Sequence, residues 1–368
     1  MNKKSEDGVS VVAFYLPQFH PIPENDEWWG KGFTEWTNVG KAKPLYRNHY
    51  QPHVPADLGY YDLRVPETRQ AQADMAKEYG IKAFCYWHYW FGNGKRLLDR
   101  PFKEVLESGK PDFPFCLGWA NHSWEKKTWS SDNEDKLLIS QEYPGDEDYI
   151  QHFYSILEAF KDKRYFHVDN KLLFLVWSPE EIPDSKRFIS LWKKLAKDNG
   201  LDDIHFVAYS TATKHVNRFV EYGYDTVVLE ILQESFFQRS FITKSYYRLL
   251  RLLFSIPKIL DYNSYAKYYL ETYFVSPKVV PCIVPNFDHS PRSKGRGLIL
   301  RDSSPQNFGM LLSKILERIY KSNPEYKLLF IKSWNEWGEG NHLEPDLKYG
   351  KRHLESLKKS LNDKSMFT

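Results

Sequence analysis

One short segment of the sequence carries the residue types that acid–base chemistry on a sugar requires. Residues 332–345 read Lys-Ser-Trp-Asn-Glu-Trp-Gly-Glu-Gly-Asn-His-Leu-Glu-Pro, so that Glu336 and Glu339 lie three residues apart. Cleavage of a glycosidic bond uses two carboxyl groups, one that protonates the leaving oxygen and one that acts on the opposite side. The two glycines let the backbone turn sharply and approach a ligand. The segment therefore predicts a catalytic carboxyl pair.

Two tryptophans, Trp334 and Trp337, frame this pair. An indole ring beside a carboxyl group removes water from it, raises its pKa and keeps it protonated as an acid. Three residues span up to about 10 Å of backbone, so the spacing fits a retaining pair at ~5–5.5 Å and an inverting pair at ~6.5–9.5 Å. A solvated acidic turn is the alternative, and the neighbouring tryptophans favour a functional site.

Polar and aromatic side chains also stand at the ends of several predicted strands. An oligosaccharide cleft combines flat platforms with fixed hydrogen-bond partners. Each residue alone also fits a buried polar group of the core, but their joint occurrence favours a sugar-binding cleft. The candidate substrate-binding residues are Tyr15, His20, Trp28, Trp29, Glu35, Trp36, Trp87, His88, Tyr89, Trp119, Asn121, His122, Trp124, Tyr209, Glu230, Asn286, Asp288, Trp334, Asn335, Trp337, His342 and Glu344.

Other hydrolytic chemistries and cofactors fit the sequence poorly. No two of the histidines among these candidates have the i, i+4 spacing of helical metal ligands. His49 and His53 have it, but Pro52 between them opposes a helix. A Gly-x-Ser-x-Gly elbow is missing, and no Gly-rich phosphate loop follows the first predicted strand. We therefore expect neither a metal nor another cofactor.

Eight apolar runs predict the strands that position these residues. Most of them are continuous, as in strands that a parallel sheet buries on both faces. Helical patterns alternate with them, which is the order of repeated βα units. We predict strands at 11–16, 81–87, 115–120, 172–177, 205–210, 226–230, 279–285 and 327–333, and helices at 67–79, 148–160, 185–198, 305–322 and 349–361.

This order favours an α/β fold with a single (β/α)8 TIM barrel over residues 1–368. An open doubly wound sheet is the alternative, and the missing phosphate loop counts against it. Two connections, 17–65 and 231–277, are too long for simple barrel loops. Because each follows a predicted strand, we expect both insertions to lie over the catalytic face.

Composition narrows the function further. Lys and Arg total 51 and Asp and Glu total 48, a net charge of +3, which argues against a nucleic-acid partner. Aromatic residues make up 17% of the chain, a richness that suits sugar-stacking platforms as well as a core. Three scattered cysteines predict buried thiols in a reducing compartment. The N-terminal residues lack the apolar stretch of a secretory signal, so we expect a cytoplasmic protein.

Residues 244–260 mix leucines with lysine and arginine, as interfacial helices do. Two interpretations stay open for this segment. Its leucines pack against the barrel, or they make a peripheral contact with the inner membrane surface. No run approaches the ~18–20 apolar residues that a membrane-spanning helix needs.

Several of these motifs together resemble a known family. Phe14-Tyr15-Leu16-Pro17-Gln18-Phe19-His20-Pro21-Ile22-Pro23-Glu24-Asn25 and Trp28-Trp29-Gly30 with Gly32-Phe33-Thr34-Glu35-Trp36 look like the opening of WbsX-type proteins. Residues 86–91, 118–124 and 334–340 fit the same family, which is labelled glycosyltransferase from its place among genes for bacterial surface polysaccharide such as O-antigen and capsule.

The Asn-Glu-Trp-x-Glu-Gly piece also resembles glycoside hydrolase family 99, whose members are barrel-fold endo-α-mannosidases. This resemblance implies a retaining route through a 1,2-anhydro sugar without metal or nucleotide. It implies that Glu336 is the base for the sugar 2-hydroxyl. Glu339 would be the acid for the leaving oxygen and then the base for the acceptor. The position x is Gly338, where the hydrolases carry a larger residue.

We therefore expect an enzyme that cleaves or transfers an α-linked glycan of surface polysaccharide, with the glycan free or lipid-linked. A nucleotide-sugar-dependent glycosyltransferase is the second hypothesis, and a non-catalytic glycan-binding protein is the third. We expect Glu336→Gln and Glu339→Gln each to remove most activity and to leave the melting temperature nearly unchanged.

Overall fold

Eight parallel strands form a closed barrel in the computed structural model, which describes residues 8–126, 136–273, 277–322 and 324–363. The first strand pairs with both the second and the eighth, and this closes the ring. In chain order the strands are β1 (Ser10–Tyr15), β2 (Ala83–Trp90), β3 (Phe115–Trp119), β4 (Lys171–Val176), β5 (Ile204–Ser210), β6 (Thr226–Leu229), β7 (Val279–Ile283) and β8 (Leu328–Ile331).

The strands form where continuous apolar runs are buried on both faces. Every residue of β2 is buried, and so is every residue of β5. The register is set across neighbouring pairs: Ala13 of β1 lies opposite Phe84 of β2 on one side and Ile331 of β8 on the other. The order confirms the predicted (β/α)8 barrel, and all eight predicted strands are present with shifts of a few residues at their ends.

Helices connect the strands, and their ends follow local sequence cues. Pro66 stands at the start of one helix, and Asp184 caps another by accepting a hydrogen bond from the backbone N–H of Arg187. The helices outside the two insertions are Pro66–Glu78, Arg100–Ser108, Asp146–Ser155, Leu157–Lys161, Ser185–Asp198, Val216–Glu221, Ser290–Ser293, Pro305–Ser322 and Arg352–Asn362. Single 3₁₀ turns occur at Pro179–Glu181, Thr213–His215, Lys294–Arg296 and Trp337–Glu339.

The predicted helix at 148–160 is the main departure from the expected elements. It is divided in two at Ile156, whose backbone (φ −121°, ψ 7°) leaves the helical range. Leu157 and Phe160 after this break are buried, so the second helix turns its apolar side into the core. Apolar spacing alone does not reveal such a break, because both halves have helical periodicity.

The two insertions are both partly helical. Residues 17–65 contain the helices Pro23–Trp29 and Glu35–Lys41. Residues 231–277 contain the helices Leu232–Phe237, Phe241–Phe254 and Tyr262–Thr272 and the strand Lys258–Asp261. That strand joins a small sheet with Leu298–Arg301 and Phe287–Asp288, which follow β7. The other short strands are Arg96–Leu97, Trp124–Glu125, Leu137–Ile139, His167–Val168, Asn335–Glu336 and Asn341–His342.

The helix Phe241–Phe254 lies where the sequence predicts a basic and apolar segment. None of its residues is buried, so its leucines do not pack into the core of the barrel. No helix in the described parts of the chain has the length and hydropathy needed to cross a bilayer. Cys85, Cys116 and Cys282 are buried and carry free thiols.

Candidate active site

A cavity of about 290 Å³ lies at the carboxyl ends of the barrel strands and contains both predicted catalytic carboxyl groups. This volume is at the small end of the range of ligand pockets. The lining consists of aromatic rings from the strand ends together with four charged side chains. The lining residues are Leu16, Trp87, Tyr89, Ala120, His122, Trp124, Trp177, Arg292, Lys332, Glu336 and Glu339.

The aromatic walls come from three strand ends. Trp87 stacks on Phe14 with ring centroids 4.6 Å apart and meets the edge of Trp177 at 5.2 Å. Trp124 meets the edge of Tyr89 at 5.2 Å. Rings fixed in this way present rigid apolar faces with few polar atoms, as a sugar-stacking surface requires.

Arg292 joins the carboxyl groups of the site. Its Nη1 donates to Glu339 Oε1 at 2.8 Å and to Glu336 Oε1 at 3.3 Å, while its Nε donates to Glu35 Oε2 at 3.1 Å. All of these side chains are largely buried. Lys332 Nζ lies 3.4 Å from Glu339 Oε2, and His289 Nε2 lies 3.6 Å from Glu339 Oε1. Glu339 therefore has three basic neighbours, whereas Glu336 shares one guanidinium.

This difference in neighbours separates the two pKa values. Burial raises the pKa of Glu336 to about 7, and the negative charge of Glu339 contributes in the same direction. Burial alone would also raise the pKa of Glu339, but Lys332, Arg292 and His289 outweigh it and lower that pKa to about 2. Between about pH 2 and about pH 7 the pair therefore holds one proton, which resides mainly on Glu336.

The hairpin after β8 holds the carboxyl pair in place through backbone bonds. Asn335 Oδ1 accepts from the Leu16 backbone N–H at 2.7 Å, and Asn335 Nδ2 donates to the Leu16 carbonyl at 3.0 Å. The Glu336 N–H donates to Ser333 Oγ, whose hydroxyl donates to the Asn341 carbonyl. These bonds tie the turn to the end of β1, so the positions of the carboxyl groups depend on the barrel itself.

The glycine between the two glutamates leaves room for Glu35. A Cβ atom on Gly338 would lie 1.7 Å from Glu35 Oε2 and 2.9 Å from Arg292 Nε. The Glu35 carboxylate thus occupies the space of a side chain at this position, and it accepts from Arg292 Nε while Nη1 of the same guanidinium donates to Glu336 and Glu339. Glu35 is fully buried, and burial raises its pKa although Arg292 opposes the shift.

Six of the predicted residues line the cavity: Trp87, Tyr89, His122, Trp124, Glu336 and Glu339. Seven others lie outside its lining and bond to backbone carbonyls, namely His20, Trp36, Trp119, Asn121, Asn286, Asn335 and His342. Another group bonds to side chains, namely Tyr15, Glu35, His88, Tyr209, Glu230, Asp288, Trp337 and Glu344. Trp28 and Trp29 are half-buried, and Trp334 packs on Phe84.

Glu344 is one of the predicted residues that bond to other side chains and lie outside the cavity lining. Its carboxyl oxygens accept hydrogen bonds from Tyr61 Oη, Gln72 Nε2 and Trp337 Nε1 at 2.6–2.8 Å. Burial raises the pKa of Glu344 to about 7 despite these bonds. The Trp337 ring in turn stacks on His342 with centroids 3.7 Å apart. These residues fix the far side of the hairpin.

The sequence reasoning assigned no role to Arg292, Lys332 or Trp177. Trp177 follows β4 directly, so the rule used for the other strand ends could have identified it. Lys332 is the first residue of the quoted segment and follows β8. Arg292 lies in a four-residue helix close to Lys294 and Arg296, and nothing in its local sequence distinguishes it from them.

His53, His342 and Asp346 form a group whose possible ligand atoms all lie within 4.8 Å of one another, outside the cavity lining. The His342 Nδ1–H donates to the Glu344 carbonyl, so its Nε2 accepts from His53 Nδ1 at 3.1 Å. Burial lowers the pKa of both histidines. This hydrogen bond satisfies the facing nitrogens without an ion, and the expectation of no metal stays a prediction.

A larger cavity of about 700 Å³ lies beside β2 and the helix Arg100–Ser108, and Trp87 and Tyr89 line both this cavity and the smaller one. It contains His88, whose Nε2 is 2.8 Å from His152 Nε2, but neither Glu336 nor Glu339. Size alone would favour this cavity as the active site. The smaller cavity has the carboxyl pair, the separated pKa values and the position at the strand ends that barrel enzymes use.

Fold and site together define the class of protein: a (β/α)8 barrel with a buried carboxyl pair in an aromatic cavity at its carboxyl end. The family model described as Glycosyltransferase WbsX matches residues 11–357. The chain therefore belongs to the WbsX glycosyltransferase family.

Two further comparisons extend this finding. The "Uncharacterized protein WxcX" of Xanthomonas campestris pv. campestris is 36% identical over 356 residues, which is 96% of this chain. The chain spans about half the length of that relative, since the match covers 50% of it.

The fold is similar to the GH99 endo-alpha-mannosidase from Bacteroides thetaiotaomicron, with a TM-score of 0.55, 13% identity and 96% of each chain covered. A "Glycoside hydrolase-like protein" matches with a TM-score of 0.55, 14% identity, 97% of this chain and 94% of that one. At these identities the likeness concerns the fold.

Proposed function

We propose that this protein is a carbohydrate-active enzyme that cleaves or transfers an α-linked, mannoside-like glycan of bacterial surface polysaccharide with net retention. The observation that carries the proposal is the geometry of Glu336 and Glu339, which share Arg292 inside a cavity walled by tryptophan and tyrosine. Membership of a family described as glycosyltransferase and the barrel fold support a sugar substrate.

The separation of the two carboxyl groups supports the retaining course. Glu336 Oε1 and Glu339 Oε1 both contact the Nη1 atom of Arg292, so these oxygens lie at most about 6 Å apart. Inverting enzymes need ~6.5–9.5 Å between their carboxyl groups to fit a water molecule, and this pair lies below that range. The spacing in sequence left this choice open.

In the proposed reaction the pair carries one proton before and after each half. Glu336 takes the proton of the sugar 2-hydroxyl, whose oxygen attacks the anomeric carbon and forms a 1,2-anhydro ring. Glu339 gives its proton to the departing oxygen. In the second half Glu339 takes a proton from the acceptor, which opens the ring, and Glu336 returns its proton to the 2-hydroxyl. No metal or nucleotide takes part.

The unliganded site starts from the opposite distribution of charge. The proton resides mainly on Glu336, and Glu339 is ionised beside Lys332. Before the first step the proton must pass to Glu339, and the Lys332 contact must weaken. One acid and one base are needed in either arrangement, so the active enzyme carries one proton on the pair.

The acceptor decides between hydrolysis and transfer. If water reaches the intermediate, the glycan is shortened; if a sugar hydroxyl is held there and water is excluded, the glycan is transferred. A free oligosaccharide, a polysaccharide or a lipid-linked glycan all supply the required α-linked unit. The walls of the cavity are largely aromatic, and this favours exclusion of water.

A nucleotide-sugar-dependent glycosyltransferase is the second candidate, because the family description uses that name. In that case Glu336 or Glu339 would act as the base for the acceptor. The turn after β1 reads Leu16-Pro17-Gln18-Phe19-His20, which has no glycine for a phosphate-binding loop. This observation weighs against a nucleotide donor.

Mass spectrometry of products tests the proposal. The protein is incubated with repeat-unit oligosaccharides of surface polysaccharide, with and without a mixture of nucleotide sugars, in ¹⁸O-labelled water. Shortened or rearranged glycans formed without nucleotide are expected, with the label marking hydrolysis. Glycans extended only in the presence of nucleotide sugar would overturn the proposal in favour of the second candidate. Binding without any product would indicate a glycan-binding protein.

A further inference from the structure

The helix Phe241–Phe254, here called the basic–apolar helix, exposes an unusual amount of apolar surface. Phe241 and Ile242 are each 80% exposed, and Leu252 is 70% exposed. Of the fourteen large exposed apolar residues in the described parts of the chain, eight fall within residues 237–254. Contiguous apolar surface of this kind marks an interaction site on a soluble protein.

The exposed residues are arranged on the outward side of the helix. Ile242, Tyr246, Leu249 and Leu253 follow the i, i+4, i+7, i+11 spacing and form one stripe. The opposite side faces the protein, where Tyr247 contacts Phe236 with ring centroids 5.7 Å apart. The apolar stripe therefore points away from the barrel.

The segment that contains this stripe is positively charged. Residues 239–260 contain five lysines and arginines and no aspartate or glutamate. Lys244, Arg248 and Arg251 lie at i+2, i+6 and i+9 from Ile242, on the other side of the helix from the stripe, and among the described residues none of the three forms a salt bridge with a carboxylate. An exposed apolar face with lysine and arginine on the other side of the same helix is typical of helices that lie in the plane of an anionic lipid surface.

The helix is connected to the active site through its C-terminal end. A Cβ atom on Gly295 would lie 1.8 Å from the Ser255 carbonyl oxygen, so the backbone after the helix packs directly on the segment that follows Arg292. The insertion itself leaves the barrel after β6, at the end that bears the cavity. A surface bound to this helix would therefore lie beside the catalytic end.

We propose that the basic–apolar helix docks the protein on an anionic membrane surface. The charge of the segment favours this occupant: residues 239–260 contain five lysines and arginines and no carboxylate, so they attract anionic headgroups and repel a second copy of the same segment. The inference does not depend on the proposed reaction, because it concerns only the exposed face. It places the cavity next to the bilayer, where a lipid-linked glycan would be found.

Vesicle flotation of the full chain tests this inference. The vesicles are phosphatidylcholine alone or phosphatidylcholine with about 30 mol % phosphatidylglycerol, at low and high salt. We expect at least about tenfold more protein on the anionic vesicles, and we expect added salt to reduce this excess. Leu249→Ser with Leu253→Ser, and separately Arg248→Glu with Arg251→Glu, are each expected to lower anionic binding about tenfold or more.

Two controls keep the result interpretable. Met310→Ser removes a residue that is 54% exposed on another helix and is expected to leave vesicle binding unchanged. Melting curves show whether each variant is folded, and because the changed residues are exposed we expect wild-type values. Equal binding to both kinds of vesicle, or none, would overturn the inference. So would a dimer in light scattering that Leu249→Ser with Leu253→Ser abolishes.

Discussion

Replacement of Glu336 by glutamine is expected to stabilise the protein at alkaline pH. In the unfolded chain the carboxyl group loses its proton near the ordinary value of 4.5, whereas in the folded protein it does so at about 7. Between these pH values the folded state binds more protons, so the free energy of unfolding of the wild type falls as pH rises. Glutamine has no proton to lose and removes this penalty.

The size of the effect follows from the two pKa values. At about 1.4 kcal/mol per pKa unit, the penalty is about 3 kcal/mol once the pH exceeds 7. The Glu336 side chain is 10% exposed, so solvent screening reduces this figure little. For a chain of 368 residues an entropy of unfolding near 2 cal/mol/K per residue converts 3 kcal/mol into about 4 °C.

Differential scanning fluorimetry and urea titration at pH 4 and pH 8 measure the difference in stability between the variant and the wild type. Glu336→Gln is expected to match the wild type at pH 4 and to melt about 4 °C higher at pH 8. Glu339→Gln is expected to melt lower at pH 8, because it removes the partner of Lys332 and Arg292. Both results would correct the expectation from sequence that neither variant changes the melting temperature.

An exposed carboxylate provides the control. Glu107 lies 3.8 Å from Lys103 and its side chain is 64% exposed, so Glu107→Gln is expected to change stability by less than about 0.5 kcal/mol at either pH. If Glu336→Gln has no pH-dependent advantage over this control, Glu336 is ionised at neutral pH and the one-proton argument is wrong.

Three further predictions concern turnover and the glycine of the site. The value of kcat/KM should fall as pH rises through about 7, because the pair then loses its only proton; a flat profile to pH 9 would contradict this. Glu339→Gln should regain activity on α-glycosides with an activated leaving group such as nitrophenolate, whereas Glu336→Gln should not; rescue of only the latter would reverse the roles. Gly338→Ala should displace Glu35 and lower activity about tenfold or more, while the matched Gly40→Ala, with open space around its Cβ, should be neutral.

The barrel could be predicted because burial on both faces leaves a direct trace in the sequence. The continuous apolar runs at β4 and β8, for example, are shorter than a typical helix and so fit strands that are buried on both faces. The order of the elements alone also fits an open doubly wound sheet, and it was the missing phosphate loop after β1 that favoured a closed ring. The break at Ile156 could not be predicted, since it depends on how the two halves pack.

The carboxyl pair of the cavity was predictable because Glu336 and Glu339 belong to one short segment with unusual neighbours. The other residues of the site were harder to predict from the sequence. Asn335 and Glu344 have the residue types of sugar ligands, yet in the unliganded protein their polar atoms bond to other protein groups. Residue type cannot tell a group that supports the site from one that meets the ligand. Arg292 acts through contacts with three carboxyl groups distant in sequence, which only the fold brings together.

Turnover by Glu336→Gln and Glu339→Gln, measured on the glycan that mass spectrometry identifies as substrate, tests the central claim most directly. Each variant is expected to lose about 10²–10⁴-fold in kcat, because each removes one partner of the acid–base pair. The dissociation constant for the glycan, measured in parallel by calorimetry, should change only a few-fold. Wild-type turnover by either variant would contradict the assignment of the carboxyl pair.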